Sequence, residues 1–154
     1  MNDGARARLE SPVGPITLIE RNGAIVELEW DNSGDIVQTG VLGDAVTQLQ
    51  EYFAGSRQVF DLPLEPRGSA FQQKFYAALS AIPYGETRTY GDLAAELGVS
   101  AQAIGQACGA NPIAILIPCH RVLGATGLGG FSGAGGVEAK IELLKLEGAA
   151  SLLI

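Results

Sequence analysis

A chain of 154 residues and 16.0 kDa has room for one compact unit or two small subdomains, and 47% hydrophobic against 18% charged residues excludes a disordered chain. Two cysteines and one histidine exclude a disulfide scaffold, favour a reduced cytosolic setting, and leave no tetrahedral Cys/His zinc site without a carboxylate, so no metal is expected. The net charge of −7 is uneven: residues 1–66 carry eleven acids against four bases, whereas residues 67–154 carry six of each and so permit a polyanion partner.

The first part reads as β-rich. Segments 16–20 and 24–30 flank Asn22-Gly23, a strong hairpin signal, and Val26/Leu28/Trp30 alternate with Glu27/Glu29 as a half-buried strand does. Residues 44–53 predict a helix, with Val46, Leu49 and Phe53 at helical spacing and Gly55 just beyond. Two prolines and a glycine in 61–68 predict a linker between subdomains. The second part reads as helical. Phe71, Phe75, Ala78, Leu79 and Ile82 line one face of a helix over 69–82, stopped by Pro83-Tyr84-Gly85. Thr89 and Asp92 form a capping-box pattern, Gly98 closes that short helix, and 101–110 predicts a second helix of alanine, glycine and glutamine. Helix, tight turn, helix is either a helix-turn-helix or an ordinary αα-hairpin. Residues 113–117 predict a buried strand, a glycine-rich loop follows, and 137–147 predicts an amphipathic helix ended by Gly148. The longest apolar run, Ile113–Pro118, is too short to span a bilayer, and Met1–Arg6 lacks the layout of a secretory signal.

The chemistry concentrates in Pro118-Cys119-His120-Arg121, where a cysteine leaves an apolar segment beside the chain's single histidine. Thiolate is the reactive form of cysteine, and a neighbouring imidazole or arginine favours it. Consecutive residues of an extended chain point to opposite faces, so contact between Cys119 and His120 needs a turn or a bridging water. The histidine then wants a carboxylate on its other nitrogen, with Glu86, Glu138, Glu142 and Glu147 as candidates. An inert buried cysteine beside a surface histidine would satisfy the same dipeptide. Cys108, among small residues, reads as packing.

Pro118-Cys119-His120-Arg121-Val122, preceded by Asn111-Pro112-Ile113, closely resembles the O6-alkylguanine-DNA alkyltransferases, the methylated-DNA–protein-cysteine methyltransferases. The resemblance extends to Ser11-Pro12-Val13-Gly14-Pro15, Phe71-Gln72-Gln73, Ile82-Pro83-Tyr84-Gly85-Glu86-Thr87, Thr89-Tyr90-Gly91 and Leu143-Leu144-Lys145-Leu146-Glu147-Gly148. It implies an α+β fold: a ribonuclease-H-like α/β subdomain over 1–66, and over 67–154 a helical, winged-helix-like subdomain carrying a helix-turn-helix. It implies a monomer that binds double-stranded DNA through the minor groove, flips O6-alkylguanine out of the stack and takes the alkyl group irreversibly, without cofactor; O4-alkylthymine is a second candidate substrate. By position, Cys119 is the nucleophile, His120 its base through water, Glu147 the group orienting His120, and Asn111 the brace of the preceding turn. Tyr90, Phe131, Ser132 and Arg121 fall at substrate-binding positions. Ala101, Gln102, Ala103, Gly105 and Gln106 fall on the DNA-binding helix. Rival readings are a non-transferring sensor of alkylated DNA, against which Cys119 counts, and a cysteine hydrolase, for which no oxyanion-hole motif is evident.

Some positions depart from the family pattern. Gln102 stands where an arginine usually fills the gap left by the flipped base, Phe131 where a tyrosine is frequent, and the turn Gly98-Val99-Ser100 is short. Over 88–121 the charges of Arg88 and Arg121 cancel those of Asp92 and Glu96, which predicts weak DNA affinity with a shallow salt dependence.

Overall fold

The computed structural model describes residues 5–31, 40–124 and 136–149. The chain divides into two compact units, residues 1–67 and 68–154. In the first, strands β1 (Ala5–Ser11), β2 (Gly14–Arg21) and β3 (Ala24–Glu29) form an antiparallel sheet in that order. Asn22 and Gly23 both take positive φ, 53° and 83°, so the β2–β3 hairpin closes on the left-handed two-residue turn that Asn-Gly favours. β1 was not anticipated, although its pattern was present: Ala7 and Leu9 are buried while Arg8 and Glu10 are exposed.

Helix α1 (Gly40–Phe53) buries Leu42, Ala45, Leu49 and Tyr52, one helical stripe, against β1 and β2. It begins before the predicted residue 44. The proline-rich segment predicted as a linker reaches the boundary between the two units, and its first part is tied to the sheet. Ile25 donates to the Pro63 carbonyl and accepts from Glu65 N–H, which makes Leu64 a parallel bridge partner of Ile25.

The second unit is built on capped helices. Ser69 and Gln72 form a reciprocal capping box at α2 (Ala70–Ser80), as Thr89 and Asp92 do at α3 (Tyr90–Leu97). Gly98 closes α3 in the left-handed region at φ 70°, and the Ser100 side chain caps α4 (Ala101–Gly109) by accepting from Ala103 N–H. α3 packs on α4 across the short turn at Gly98-Val99-Ser100. Two-residue strands β4 (Arg88–Thr89) and β5 (Val122–Leu123) pair in parallel and bring the start of α3 beside the end of the Cys119 segment. Helix α5 (Val137–Leu146) turns Ala139, Lys140, Leu143 and Leu144 inward and stops at Gly148, φ 77°.

Residues 113–117 are not a strand. Ile117 N–H reaches back to the Ile113 carbonyl, Leu116 N–H to that of Ala114, and Ile115 between them sits at φ 72°. The segment is a folded loop, buried throughout. A short apolar run is consistent with any buried conformation, and here a side chain, Asn111, supplies the partners that a neighbouring strand would have given.

Candidate active site

Three short turns in series deliver Cys119. Asn111 Oδ1 accepts from Ile113 N–H at 3.0 Å and its Nδ2 donates to the Ile117 carbonyl at 2.8 Å, so one amide ties both ends of the loop. The same Ile117 carbonyl accepts from Cys119 N–H at 2.8 Å, with Pro118 between them at φ −79°, ψ 67°, an inverse γ-turn. Cys119, His120 and Arg121 then form a single 3-10 turn. No hydrogen bond joins the side chains of Cys119 and His120 directly.

His120 is fully buried, and its Nε2 lies 2.7 Å from Glu147 Oε2. Of the four carboxylates that the sequence left open, the fold selects Glu147, the C-cap of α5. With Nε2–H given to the carboxylate, the neutral ring carries its lone pair on Nδ1. Nδ1 is buried and has no hydrogen-bond partner among the described residues. Burial holds the imidazole below its ordinary pKa, opposed by Glu147 and assisted by the charges of Arg121 and Lys140. The ring is therefore a neutral acceptor at neutral pH.

Cys119 is a buried free thiol, and burial pushes it above its ordinary value while the hydrogen bond with Asn111 and the charge of Lys140 pull it back. It rests protonated and needs a base. Burial likewise pushes Cys108 up, to about 12, in keeping with a packing role.

Arg121 departs from expectation. Its guanidinium points inward: Nε donates to Glu147 Oε1 at 2.8 Å, Nη2 to Oε2 at 2.9 Å, and Nη1 to the Ile82 carbonyl at 2.7 Å. A charged side chain that is 6% exposed must find partners, and the fork of a carboxylate matches it better than open solvent at a pocket rim. Placed at a substrate position by resemblance, it belongs instead to the support of His120.

Lys140 escaped the sequence reading. It is fully buried, donates to the Val122 carbonyl at 2.6 Å, and holds its ammonium 5.8 Å from the centre of the Tyr90 ring. The signal was available: Lys140, Leu143, Leu144 and Glu147 recur at i, i+3, i+4 and i+7, so two charges lie on the stripe that the helix buries. Tyr90, the first residue of α3, is half-buried. On α4, Ala101, Gln102 and Gln106 are exposed, Ala103 and Gly105 half-buried, and Ile104 and Ala107 form the inner face. Phe131 and Ser132 lie outside the described residues. Among the described residues no group of three or more His, Cys, Asp or Glu could hold a metal ion.

Residues 70–149 match the model of the 6-O-methylguanine DNA methyltransferase DNA-binding domain, and residues 6–66 that of the family's ribonuclease-like domain. This chain belongs to the O6-methylguanine DNA methyltransferase family. It is 44% identical over 149 residues to the methylated-DNA–protein-cysteine methyltransferase of Mycobacterium tuberculosis, covering 90% of this chain and 89% of that one. The constitutive methyltransferase of Bacillus subtilis is 41% identical, with 90% and 92% covered. A crystal structure of Mycobacterium tuberculosis OGT in complex with DNA superposes with a TM-score of 0.84 at 42% identity, over 95% of this chain and 94% of that one. The fold is accordingly α+β, a ribonuclease-like sheet unit followed by a helical DNA-binding unit.

Proposed function

We propose that this protein repairs DNA by a single, irreversible transfer of an alkyl group from O6-alkylguanine to Cys119. The observation that carries this is the pairing of buried His120 with Glu147, one residue from a buried thiol, with Nδ1 left as the ring's acceptor. His120 takes the thiol proton through a water, Cys119 Sγ attacks the alkyl carbon, and the carbon–O6 bond breaks. The proton passes back to the departing guanine, and the thioether remains. No step regenerates the thiol, so one chain repairs one lesion.

The exposed side of α4, with Ala101, Gln102, Ala103, Gly105 and Gln106, is the surface offered to the minor groove, where small side chains allow close approach. Gln102 supports the stack that the flipped base leaves, by hydrogen bonding instead of charge. Tyr90, Phe131 and Ser132 contact the flipped nucleotide. The protein acts as a monomer, in the cytoplasm; among the described residues no helix is long and apolar enough to cross a membrane.

The test is intact-protein mass after incubation with excess duplex bearing O6-methylguanine, beside the Cys119→Ser variant. One methyl on the parent chain and none on the variant is the expected result. A duplex that binds without any mass gain would favour a sensor of damage, and repeated turnover would favour a hydrolase.

A further inference from the structure

The motif Ile82-Pro83-Tyr84-Gly85 has no part in the transfer described above, yet it closes around the far side of the histidine's support. Ile82 offers its carbonyl to Arg121 Nη1 at 2.7 Å, Tyr84 donates its hydroxyl to the Leu146 carbonyl at 3.1 Å, and the Tyr84 ring lies 5.9 Å from the guanidinium carbon. Gly85, at φ 85°, is held so close that an added Cβ would meet the Glu147 carbonyl at 3.3 Å. The turn thus grips Arg121 and the end of α5 together, and Arg121 in turn grips both oxygens of Glu147.

We propose that Arg121, fixed by the Ile82–Gly85 turn, is a positioning residue that keeps Glu147 ionised and His120 neutral, with Nδ1 free to accept a proton. The proposal rests on the alkyl-transfer reading for its consequence, though not for its measurement. A buried carboxylate alone beside an imidazole would draw a proton onto the ring, because nothing else would balance its charge. Bidentate pairing with Arg121 supplies that balance, so the ring orients on Glu147 without being charged by it. The other groups facing the imidazole act around this pair. Lys140 on α5 disfavours the imidazolium, as Arg121 does, Cys119 precedes the ring in the same turn, and Tyr84 covers the guanidinium.

The chain holds one histidine, so a sample labelled in the imidazole reports on His120 alone. Its titration is followed by NMR in the parent chain, in Arg121→Met and in Arg121→Gln, which keeps a donor for Glu147 while dropping the charge. Single-turnover methyl transfer is measured over the same pH range. The expected result is a rise in proton affinity of His120 of at least about tenfold in both variants. The acid limb of transfer moves to higher pH in step, because the two-proton form, thiol with imidazolium, is inactive. An unmoved or lowered titration overturns the proposal, as does an Arg121→Gln chain that no longer folds, which would make the residue structural alone. Failure of the parent chain to gain a methyl would sink the transfer reading and leave the titration to decide the role of Arg121.

Discussion

Asn111 fixes the nucleophile's backbone, since its amide touches Ile113 N–H and the Ile117 carbonyl, that carbonyl also receives Cys119 N–H, and the same side chain hydrogen-bonds the Cys119 thiol. Between these anchors Ile115 is held at φ 72° in a γ-turn of the rarer, positive-φ kind, a strain of about 1–3 kcal/mol for a β-branched residue. Such strain persists only where surrounding bonds over-determine it, and the amide supplies two of them. Asn111→Ala should therefore lower unfolding free energy by about 2 kcal/mol and slow methyl transfer in the part of the population that stays folded. Denaturant unfolding and single-turnover kinetics check this; unchanged kinetics in a destabilised variant would show that the loop keeps its shape without the brace. The importance of Asn111 was legible only through resemblance, because no periodicity marks a side chain that bonds backbone. Glu147 was likewise singled out from four candidates by resemblance, with the fold supplying its contact to His120, and the inward turn of Arg121 depends on Ile82, thirty-nine residues away.

At the level of elements, the signals that held were local ones. Thr89 with Asp92, Gly98, and the Asn22-Gly23 hairpin each act over three or four residues, and each appears in the fold as its local physics dictates. β4 and β5 depend on partners distant in sequence, whereas the 113–117 loop depends on Asn111 just outside the apolar run, which by itself gave no way to choose between strand and turn. Helix α4 poses a different question. Gly105 has nothing within 4 Å of where a Cβ would stand, so the fold itself does not require glycine there. An interior helical glycine costs about 1 kcal/mol relative to alanine. Gly105→Ala should accordingly stabilise the free chain by up to that amount and weaken duplex binding, because the methyl would stand between the helix and a narrow groove. Thermal unfolding and fluorescence anisotropy measure the two effects separately. Stabilisation with unaltered binding would remove Gly105 from the DNA-facing surface.

Across the whole molecule the charge distribution sets what kind of DNA binding is available. The acidity belongs to residues 1–66, and the bases beyond them are largely committed. Arg67 lies 3.5 Å from Glu27, Arg88 meets Asp92 and Glu96, Arg121 is clasped by Glu147, and Lys140 is buried, which leaves Lys74 and Lys145 as exposed cations outside those contacts. Affinity for a duplex falls with salt in proportion to the phosphates neutralised, with a log–log slope of about −0.9 per contact, so roughly two or three cations predict a slope no steeper than about −3. Backbone N–H groups at the helix starts and the fit of α4 to the groove must then carry most of the attraction, and these respond little to counterions. Anisotropy of a labelled duplex between about 50 and 200 mM salt measures the slope directly. A slope near −3 or shallower, with modest affinity, is the expected outcome. A slope of about −4 would mean that the pairs at Arg88 open on binding and release its one charge to the phosphates, with the capping carboxylate of Asp92 the group to remove next, and a slope steeper than about −5 would overturn this account of the charges.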